Sequence, residues 1–465
     1  MTQSTSTLVN PSLRIDKLHL TNYRGFADLA ISFDPSLTVL VASNGQGKTA
    51  VLDAIATALG PFVGAFDDGK DRAFDRDDIR LLRAGTGNRM ELADGGLVLE
   101  AAGIVDYKDV SWKRQLAGPK SRTTRKDAQG LIEFGKRLQR EVRQEAEVQR
   151  QYGEAVTIGA CLPLVAYYPT DRLWNIRRLP YKKLPRTSRM VGYTHCLESG
   201  SDFHLMADWF RYWSINSLNQ RLKAQQLGEK IIPSDFDHAL EAVRNAINLC
   251  LKPSGWGNMD FSLEREEVVA RHPEHGELPV GMLSDGIRSM LTLVADIAFR
   301  MVKLNPNLGP FAATETDGIV LIDEVDMHLH PAWQQTVLAS LREAFPRIQF
   351  IVSTHSPQVL SSIHSRGVRL LGRDAESNAV ASRPLARTYG EPSGDVLESV
   401  MQVDPQPPVP EKADLHRLTE LVDQGMYDTD EAIQLWSALN LALDEQHPQL
   451  QRLQRSVQRQ RALKA

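Results

Sequence analysis

The segment Ala42-Ser43-Asn44-Gly45-Gln46-Gly47-Lys48-Thr49-Ala50 sets two glycines, a lysine and a threonine at fixed spacing. Each residue type has a task if a polyphosphate lies against it. Gly45 and Gly47 let the backbone curl, so that consecutive N–H groups face phosphate oxygens. Lys48 is long enough to reach β- and γ-phosphates, and Thr49 offers a hydroxyl to Mg²⁺. A helix opening here adds the positive end of its dipole. The pattern matches GxxxxGK[ST] at every fixed position but the first, where Ala42 replaces glycine. A methyl is tolerated there if φ is negative. Asn44, Gly45, Gln46, Gly47, Lys48, Thr49 and Ala50 are therefore the candidate nucleotide-binding residues, with ATP and Mg²⁺ as the expected cofactors.

Three later segments supply matching chemistry. Ile319-Val320-Leu321-Ile322-Asp323-Glu324 is an apolar run ending in two acids. Carboxylates at the end of a buried strand are costly unless they meet a cation or donors. Asp323 suits a Mg²⁺ ligand and Glu324 suits polarising an attacking water. Leu283-Ser284-Asp285-Gly286-Ile287 precedes a helical pattern. Ser284 is a natural N-cap whose hydroxyl could meet a phosphate. Ile351-Val352-Ser353-Thr354-His355-Ser356 ends a strand with His355, placed to contact a γ-phosphate.

These groups need elements to hold them. Leu13–Leu20 alternates as a strand, and Leu37–Ala42 is a fully apolar second strand. After the glycine loop, Leu52, Ile55, Ala56 and Leu59 mark an amphipathic helix with Gly60 as its stop. Residues 91–115 alternate weakly as short strands. Asp127–Tyr152 reads as a helix with Leu131, Phe134, Leu138 and Val142 on one face and Lys136, Arg137, Arg140 and Arg143 opposite. Phe203–Leu227 and Asp235–Leu251 are also helical. A second α/β unit follows: a helix after Ser284, strand Ile319–Ile322, helix Ala332–Ala344 and strand Gln349–Ser353. The proline-rich stretch 405–412 reads as a stiff hinge. The organisation expected is an ATPase lobe over 1–110, a helical and basic insertion over 111–275, a second ATPase lobe over 276–390, and a hinge with a helical module over 391–465.

Composition narrows the class. Of 465 residues, 54 are Lys or Arg and 58 Asp or Glu, a net charge of −4, which excludes a uniformly basic nucleic-acid coat but not a local basic groove. Cys161, Cys196 and Cys250 form no CxxC pair, so a disulfide framework or thiolate zinc site is not expected, and a reducing compartment is. No apolar run reaches the roughly 20 residues of a membrane span, and the first residues carry no secretory pattern. A soluble cytoplasmic protein is expected.

In order and content, the phosphate loop, LSDGI, the Asp-Glu strand and His355 resemble the ABC-type ATPases. LHLTNYRGFADLAISF, LIDEVDMHLHPAWQQ and VSTHSPQVL are similar to the RecF/SMC and OLD-like branch. LPLVAYYPTDRLW, SRMVGYTHCLESGSDFHLMADWF and TYGEPSGDVLESVMQVD resemble the compact ATPases of anti-phage defence, the PtuA ATPases of Septu and retron-associated Septu-like systems. The resemblance implies an α/β ABC-type head with a helical insertion, a C-terminal helical module and no long coiled coil. It implies a homodimer or higher oligomer in which two ATP molecules are sandwiched between heads. Lys48, Thr49, Asp323, Glu324 and His355 of one copy would face Ser284 and Gly286 of the other, with Asp326 in the loop that reports across the interface. Arg24 would touch phosphate. Gln149 and Gln151 are positional candidates for the glutamine of the Q-loop.

The same resemblance implies an ATP-hydrolysing sensor that controls a separate effector nuclease of HNH type. A stand-alone RecF-like DNA repair ATPase and a non-hydrolysing ATP-dependent scaffold are the alternatives. No guanine-reading NKxD occurs, no zinc hook interrupts the roughly 220 residues before LSDGI, and the roughly 110 after His355 are too few for a TOPRIM nuclease. No intrinsic nuclease site is expected. His328 and His330 read either as a metal pair or as packing residues. The basic loop Asp171–Arg189, with Trp174 and Tyr181 interleaved and Tyr167 and Tyr168 just before it, reads as a DNA or RNA contact or as a solvated face. In the last residues, Leu415, Leu418 and Val422, then Ile433, Trp436, Leu439 and Leu443, then Leu450, Leu453 and Val457 form three apolar stripes. Asp428 or Thr429 would cap the second helix. Three short helices have little core of their own, so the stripes are expected to bury themselves against a partner subunit or the ATPase head.

Overall fold

The computed structural model describes residues 11–83, 89–152, 159–170, 188–198, 203–444 and 446–464. Its strands in chain order are β1 (Leu13–Tyr23), β2 (Phe26–Ser32), β3 (Leu37–Val41), β4 (Leu81–Arg83), β5 (Met90–Leu92), β6 (Leu97–Val105), β7 (Lys108–Leu116) and β8 (Leu164–Tyr168). They continue with β9 (Gly257–Ser262), β10 (Glu267–His272), β11 (Gly276–Pro279), β12 (Gly318–Ile322), β13 (Ile348–Ser353), β14 (Val368–Arg373) and β15 (Ala379–Ser382). The helices are α1 (Lys48–Val63), α2 (Gln129–Tyr152), α3 (Phe203–Leu227), α4 (Asp235–Leu251), α5 (Asp285–Leu304), α6 (Ala312–Glu315) and α7 (Pro331–Gln334). After them come α8 (Val337–Ala344), α9 (Pro357–Ser361), α10 (Ser393–Ser399), α11 (Lys412–Asp423), α12 (Asp430–Leu443) and α13 (Pro448–Lys464).

The central sheet runs β15-β14-β3-β13-β12-β8. Its five strands from β14 to β8 are parallel, and β15 closes one edge antiparallel to β14. Parallel strands covered on both faces read as near-continuous apolar runs, as β8 and β12 do, and β3 and β13 depart from this only at the buried polar residues Thr38, Gln349 and Ser353. The sheet joins segments more than 300 residues apart: Val39 pairs with Val352 and Val368. β8 lies in the stretch anticipated as an insertion, yet it pairs with β12 from Leu164↔Gly318 to Tyr168↔Ile322. The expected boundary at 110 falls inside β7.

A second sheet, β2-β1-β6-β7, is antiparallel. β6 and β7 are nine-residue strands, longer than their weak alternation suggested, because small residues such as Ala101, Ala102 and Gly103 blur the pattern. Gln349 stitches the two sheets together: its side-chain oxygen accepts from the Ile15 N–H at 3.0 Å, and its amide donates to the carbonyls of Ile15 at 2.7 Å and Asp34 at 3.0 Å.

α1 is buried almost all round rather than along one stripe. It also continues through Gly60 and Pro61 to Val63, so Gly60 is not a stop. The glycine serves a close approach instead: a Cβ there would stand 2.3 Å from the Asp71 carboxylate and 2.7 Å from the Arg72 carbonyl. The helix expected over 332–344 is broken into α7 and α8 around Gln335 and Thr336. α2 behaves as its pattern required. Leu131, Phe134, Leu138 and Val142 are buried, while Arg137 pairs with Glu141 at 2.6 Å and Arg143 with Asp67 at 2.5 Å on the outer face.

Residues Leu397–Ala465 form a second compact unit. Contrary to expectation, its helices have a core of their own. Leu415, Leu418, Leu421, Val422, Ala432, Leu439, Leu450 and Leu453 cluster, with Trp436, Leu443 and Val457 against them. Ile433, expected on the apolar stripe, is 54% exposed. Thr429 is the cap of α12, its hydroxyl accepting from the Ala432 N–H at 3.3 Å, and Glu431 binds Arg417 of α11 through two bonds of 2.7 and 3.0 Å. The unit begins ahead of the proline stretch, which belongs to it: the Lys412 ammonium donates to the Gln406 carbonyl at 3.2 Å, and Gln406 bonds Gln449 at 2.7 Å.

Candidate nucleotide site

The loop between β3 and α1 adopts the curl that its glycines permit. Gly45 has φ 77° and Gly47 φ 90°, both in the left-handed region that disfavours a Cβ. Gly47 is also crowded, since a Cβ there would stand 2.4 Å from the ring of Phe26. Lys48 opens α1 and folds back over the loop, its ammonium donating to the Ala42 carbonyl at 3.1 Å. Burial pulls the Lys48 ammonium below its usual value, while the charges of Asp323, Glu324 and Asp326 work against that fall.

Asp323 and Glu324 follow β12 directly. The Thr49 hydroxyl donates to the Asp323 carboxylate at 2.6 Å, so the two expected Mg²⁺ ligands are adjacent. Ser353, at the end of β13, is fully buried between the two acids: its hydroxyl donates to Asp323 and accepts from the Glu324 N–H at 2.8 Å. Glu324 itself has φ 46°, a left-handed backbone unusual for glutamate that turns the chain off the strand. Sequence reasoning missed Ser353, whose place beside the two acids comes from the pairing of β13 with β12, about 30 residues away in the chain.

A cavity of about 550 Å³ is lined by Asn44, Gly45, Gln46, Gly47, Lys48, Thr49 and Ala50 together with Glu324 and His355. The structure thus brings the phosphate loop, the base candidate and the histidine to one place. Arg24, Gly25 and Phe26 line it from the β1–β2 turn, and Gly372, Arg373 and Ala379 from the β14–β15 hairpin. Neither Phe26 nor the hairpin was singled out from the sequence. Arg24 faces the cavity with its guanidinium tied to acids, Nη1 to Asp53 at 2.6 Å and Nε to Asp78 at 2.8 Å.

Ser284, Gly286 and Asp326 do not line this cavity. Ser284 is the exposed residue before α5, and its hydroxyl makes no cap bond. Gly286 lies so close to the chain at His328 that a Cβ would stand 2.3 Å from that carbonyl. The Asp326 carboxylate accepts from the Thr354 hydroxyl at 2.5 Å. His330 caps α7, its ring Nδ1 accepting from the Ala332 N–H at 3.3 Å, and no metal-holding cluster occurs among the described residues. Both histidines are exposed.

Gln149 and Gln151 lie exposed near the end of α2 and do not line the cavity. Trp174, Tyr181 and the basic residues 172–186 lie outside the described residues. Arg189, the last arginine of that stretch, is committed to structure, binding Glu145 at 2.7 Å and the Leu304 carbonyl at 2.7 Å. Tyr167 and Tyr168 are buried in the core, not displayed for stacking. No helix among the described residues is long and apolar enough to cross a membrane.

The AAA-domain family matches residues 17–249, half of the chain, and a second AAA-domain family, of type IV toxin–antitoxin systems, matches residues 203–361. The "Retron Vc95 probable ATPase" of Vibrio cholerae serotype O1 biovar El Tor is 26% identical over 90% of this chain and 85% of its own. The "Septu protein PtuA" of Bacillus mycoides is 37% identical over 23% of this chain and 14% of its own. An SMC head bound to the C-winged helix domain of ScpA superposes over 80% of this chain and 98% of its own, with 17% identity and a TM-score of 0.45. The chain belongs to the AAA-domain family, as an ABC-like ATPase whose relatives include those of retron and Septu defence systems.

Proposed function

We propose that this chain binds and hydrolyses ATP as the sensor and regulator of a cytoplasmic anti-phage defence system, controlling a separate effector nuclease of HNH type. The observation that carries the ATPase reading is the convergence of Lys48, Thr49, Glu324 and His355 on one cavity. Lys48 holds the β- and γ-phosphates, His355 contacts the γ-phosphate, and Glu324 takes the proton of the attacking water. The donor set suits a hard divalent cation, because the Thr49 hydroxyl and Asp323 carboxylate oxygens already lie 2.6 Å apart. Thr49 and Asp323 would hold Mg²⁺, which supplies charge neutralisation at the phosphates. The whole-length likeness to the retron ATPase supports the defence role.

The site is completed by a second copy. Ser284, Gly286 and Asp326 stand away from their own chain's cavity, and the exposed Ser284 hydroxyl is suited to a phosphate held by a neighbour. The second unit serves as the docking module for the effector, with the exposed Arg452, Arg455, Arg459 and Arg461 of α13 as a cationic rim. The basic loop 172–186 is the candidate contact for DNA or RNA.

Three measurements test the parts. Glu324→Gln is expected to keep ATP binding and lose about 10²–10⁴-fold in turnover; wild-type turnover would remove the base assignment. Ser284→Arg is expected to keep ATP binding and lose ATP-dependent dimerisation, and a normal dimer in sedimentation would reject completion by a neighbour. Removing residues 397–465 is expected to abolish co-purification with the proposed effector nuclease; an unchanged complex would reject the docking role.

A further inference from the structure

The order of the central sheet decides which way a nucleotide runs. β3, which leads into the phosphate loop, lies between β13 and β14. Glu324 follows β12 and His355 follows β13, so both groups suited to the terminal phosphate lie on the same side of the loop. A triphosphate with its terminal phosphate there places its nucleoside on the opposite side, beyond the carboxyl end of β14. Ligands of open parallel sheets lie outside the carboxyl ends of the strands.

On that side the same cavity is walled by Gly372, Arg373 and Ala379. Register explains their position. Leu370 pairs with Val41, the last residue of β3, so Gly372 and Arg373 run on past β3 beside the start of the loop. Arg373 pairs directly with Ala379 across the hairpin. The turn between them is pinned: the Asp374 carboxylate accepts from the N–H groups of Glu376 at 3.0 Å and Asn378 at 2.8 Å, and from the Asn378 side chain at 3.1 Å. Ser377, at φ 65°, turns its carbonyl back to accept from Arg373 Nη1 at 2.8 Å. One edge of the guanidinium is thereby anchored while the residue stays exposed. Gly372 has no atom within 4 Å of where a Cβ would stand, so packing does not require glycine there. Its bare backbone leaves that end of the cavity open.

We infer that the β14–β15 hairpin is the nucleoside half of the ATP site, and that Arg373 presents the face of its guanidinium to the base. This rests on the ATP-site reading given above. A guanidinium is planar and delocalised and stacks on aromatic faces, whereas an ammonium is a point charge.

The test is direct binding to the full-length protein of three probes: ATP, ADP and inorganic tripolyphosphate, which has the phosphates without the nucleoside. Arg373→Ala and Arg373→Lys are each expected to weaken ATP and ADP about tenfold and to leave tripolyphosphate unchanged. Gly372→Leu, which fills the open space without altering charge, is expected to give the same pattern. Lys48→Ala is expected to weaken all three probes. Unchanged ATP affinity in Arg373→Ala would overturn the inference, as would an equal loss of tripolyphosphate, which would make Arg373 a phosphate contact. If Lys48→Ala left all three probes unaffected, the failure would lie with the phosphate-loop reading and not with the hairpin.

Discussion

Replacing Ser353 by alanine removes one oxygen atom from the centre of the site. That atom donates to the Asp323 carboxylate and accepts from the Glu324 N–H at 2.8 Å, in a residue with no exposed surface. A hydrogen bond to a charged group contributes about 1.5–3 kcal/mol and a neutral one about 0.5–1.5 kcal/mol, so Ser353→Ala should cost about 2–4 kcal/mol of unfolding free energy. The catalytic effect is separate. Glu324 sits at φ 46°, and a left-handed non-glycine backbone persists only where its surroundings hold it. Without the Ser353 acceptor, its carboxylate loses its fixed aim, and a displacement of about 1 Å can cost about 10²-fold in rate. ATP affinity should change little, because the phosphate loop is untouched. Turnover, ATP binding and urea unfolding are to be measured for Ser353→Ala, Glu324→Gln and the double variant. If Ser353 acts by aiming Glu324, the double variant turns over no more slowly than Glu324→Gln alone. Wild-type turnover in Ser353→Ala, or multiplicative losses in the double variant, would refute the positioning argument.

Gly47→Ala would need a methyl at φ 90° and 2.4 Å from the Phe26 ring; ATP affinity should fall at least about tenfold in a binding titration, about 1–2 kcal/mol of strain being typical of such positions. Leu418→Ala empties a fully buried site in the second unit and should cost about 2–5 kcal/mol, read as faster hydrogen exchange through α11–α13. Lys303 is buried with its ammonium 3.6 Å from the centre of the Trp209 ring, and burial lowers its pKa to about 8. The folded chain therefore binds fewer protons than the unfolded chain between about pH 8 and the usual lysine value near 10.4, and this group's contribution to stability rises with pH across that window. Lys303→Met should abolish that rise in denaturation experiments at successive pH values.

The phosphate loop, Asp323, Glu324 and His355 were legible in the sequence because their chemistry fixes residue type, spacing and the elements on either side. β3, β12 and β13 were legible because burial on both faces leaves mainly apolar runs, whereas β8, β14 and β15 of the same sheet were not picked out. Ser353, Phe26 and Arg373 were harder to find, since what gives each its place is proximity to segments far away in the chain: β12 for Ser353, Gly47 for Phe26 and β3 for the hairpin of Arg373. Gly60 misled because a glycine after an apolar stripe signals a helix end, whereas here it admits the chain at Asp71 and Arg72. The self-contained core of α11–α13 was hidden because an apolar stripe states that it must be covered but not by what.

The pairing of β3 also sets a timetable for synthesis. β3 ends at Val41, but its two neighbours in the sheet are β13 and β14, which begin at Ile348 and Val368. At about 5–20 residues per second, a ribosome needs roughly 15–60 s to add the chain between them. Throughout that interval β3 emerges as an apolar strand with both hydrogen-bonding edges open, and the loop behind it has no sheet to rest on. A nascent chain arrested before Ile348 therefore lacks both partners of its phosphate-loop strand, so it cannot build the finished ATP site and exposes a strand prone to pairing with other chains. Ribosome-bound intermediates of this protein should thus be bound by chaperones until the last third of the head is made, and should gain ATP binding abruptly once β14 has left the exit tunnel.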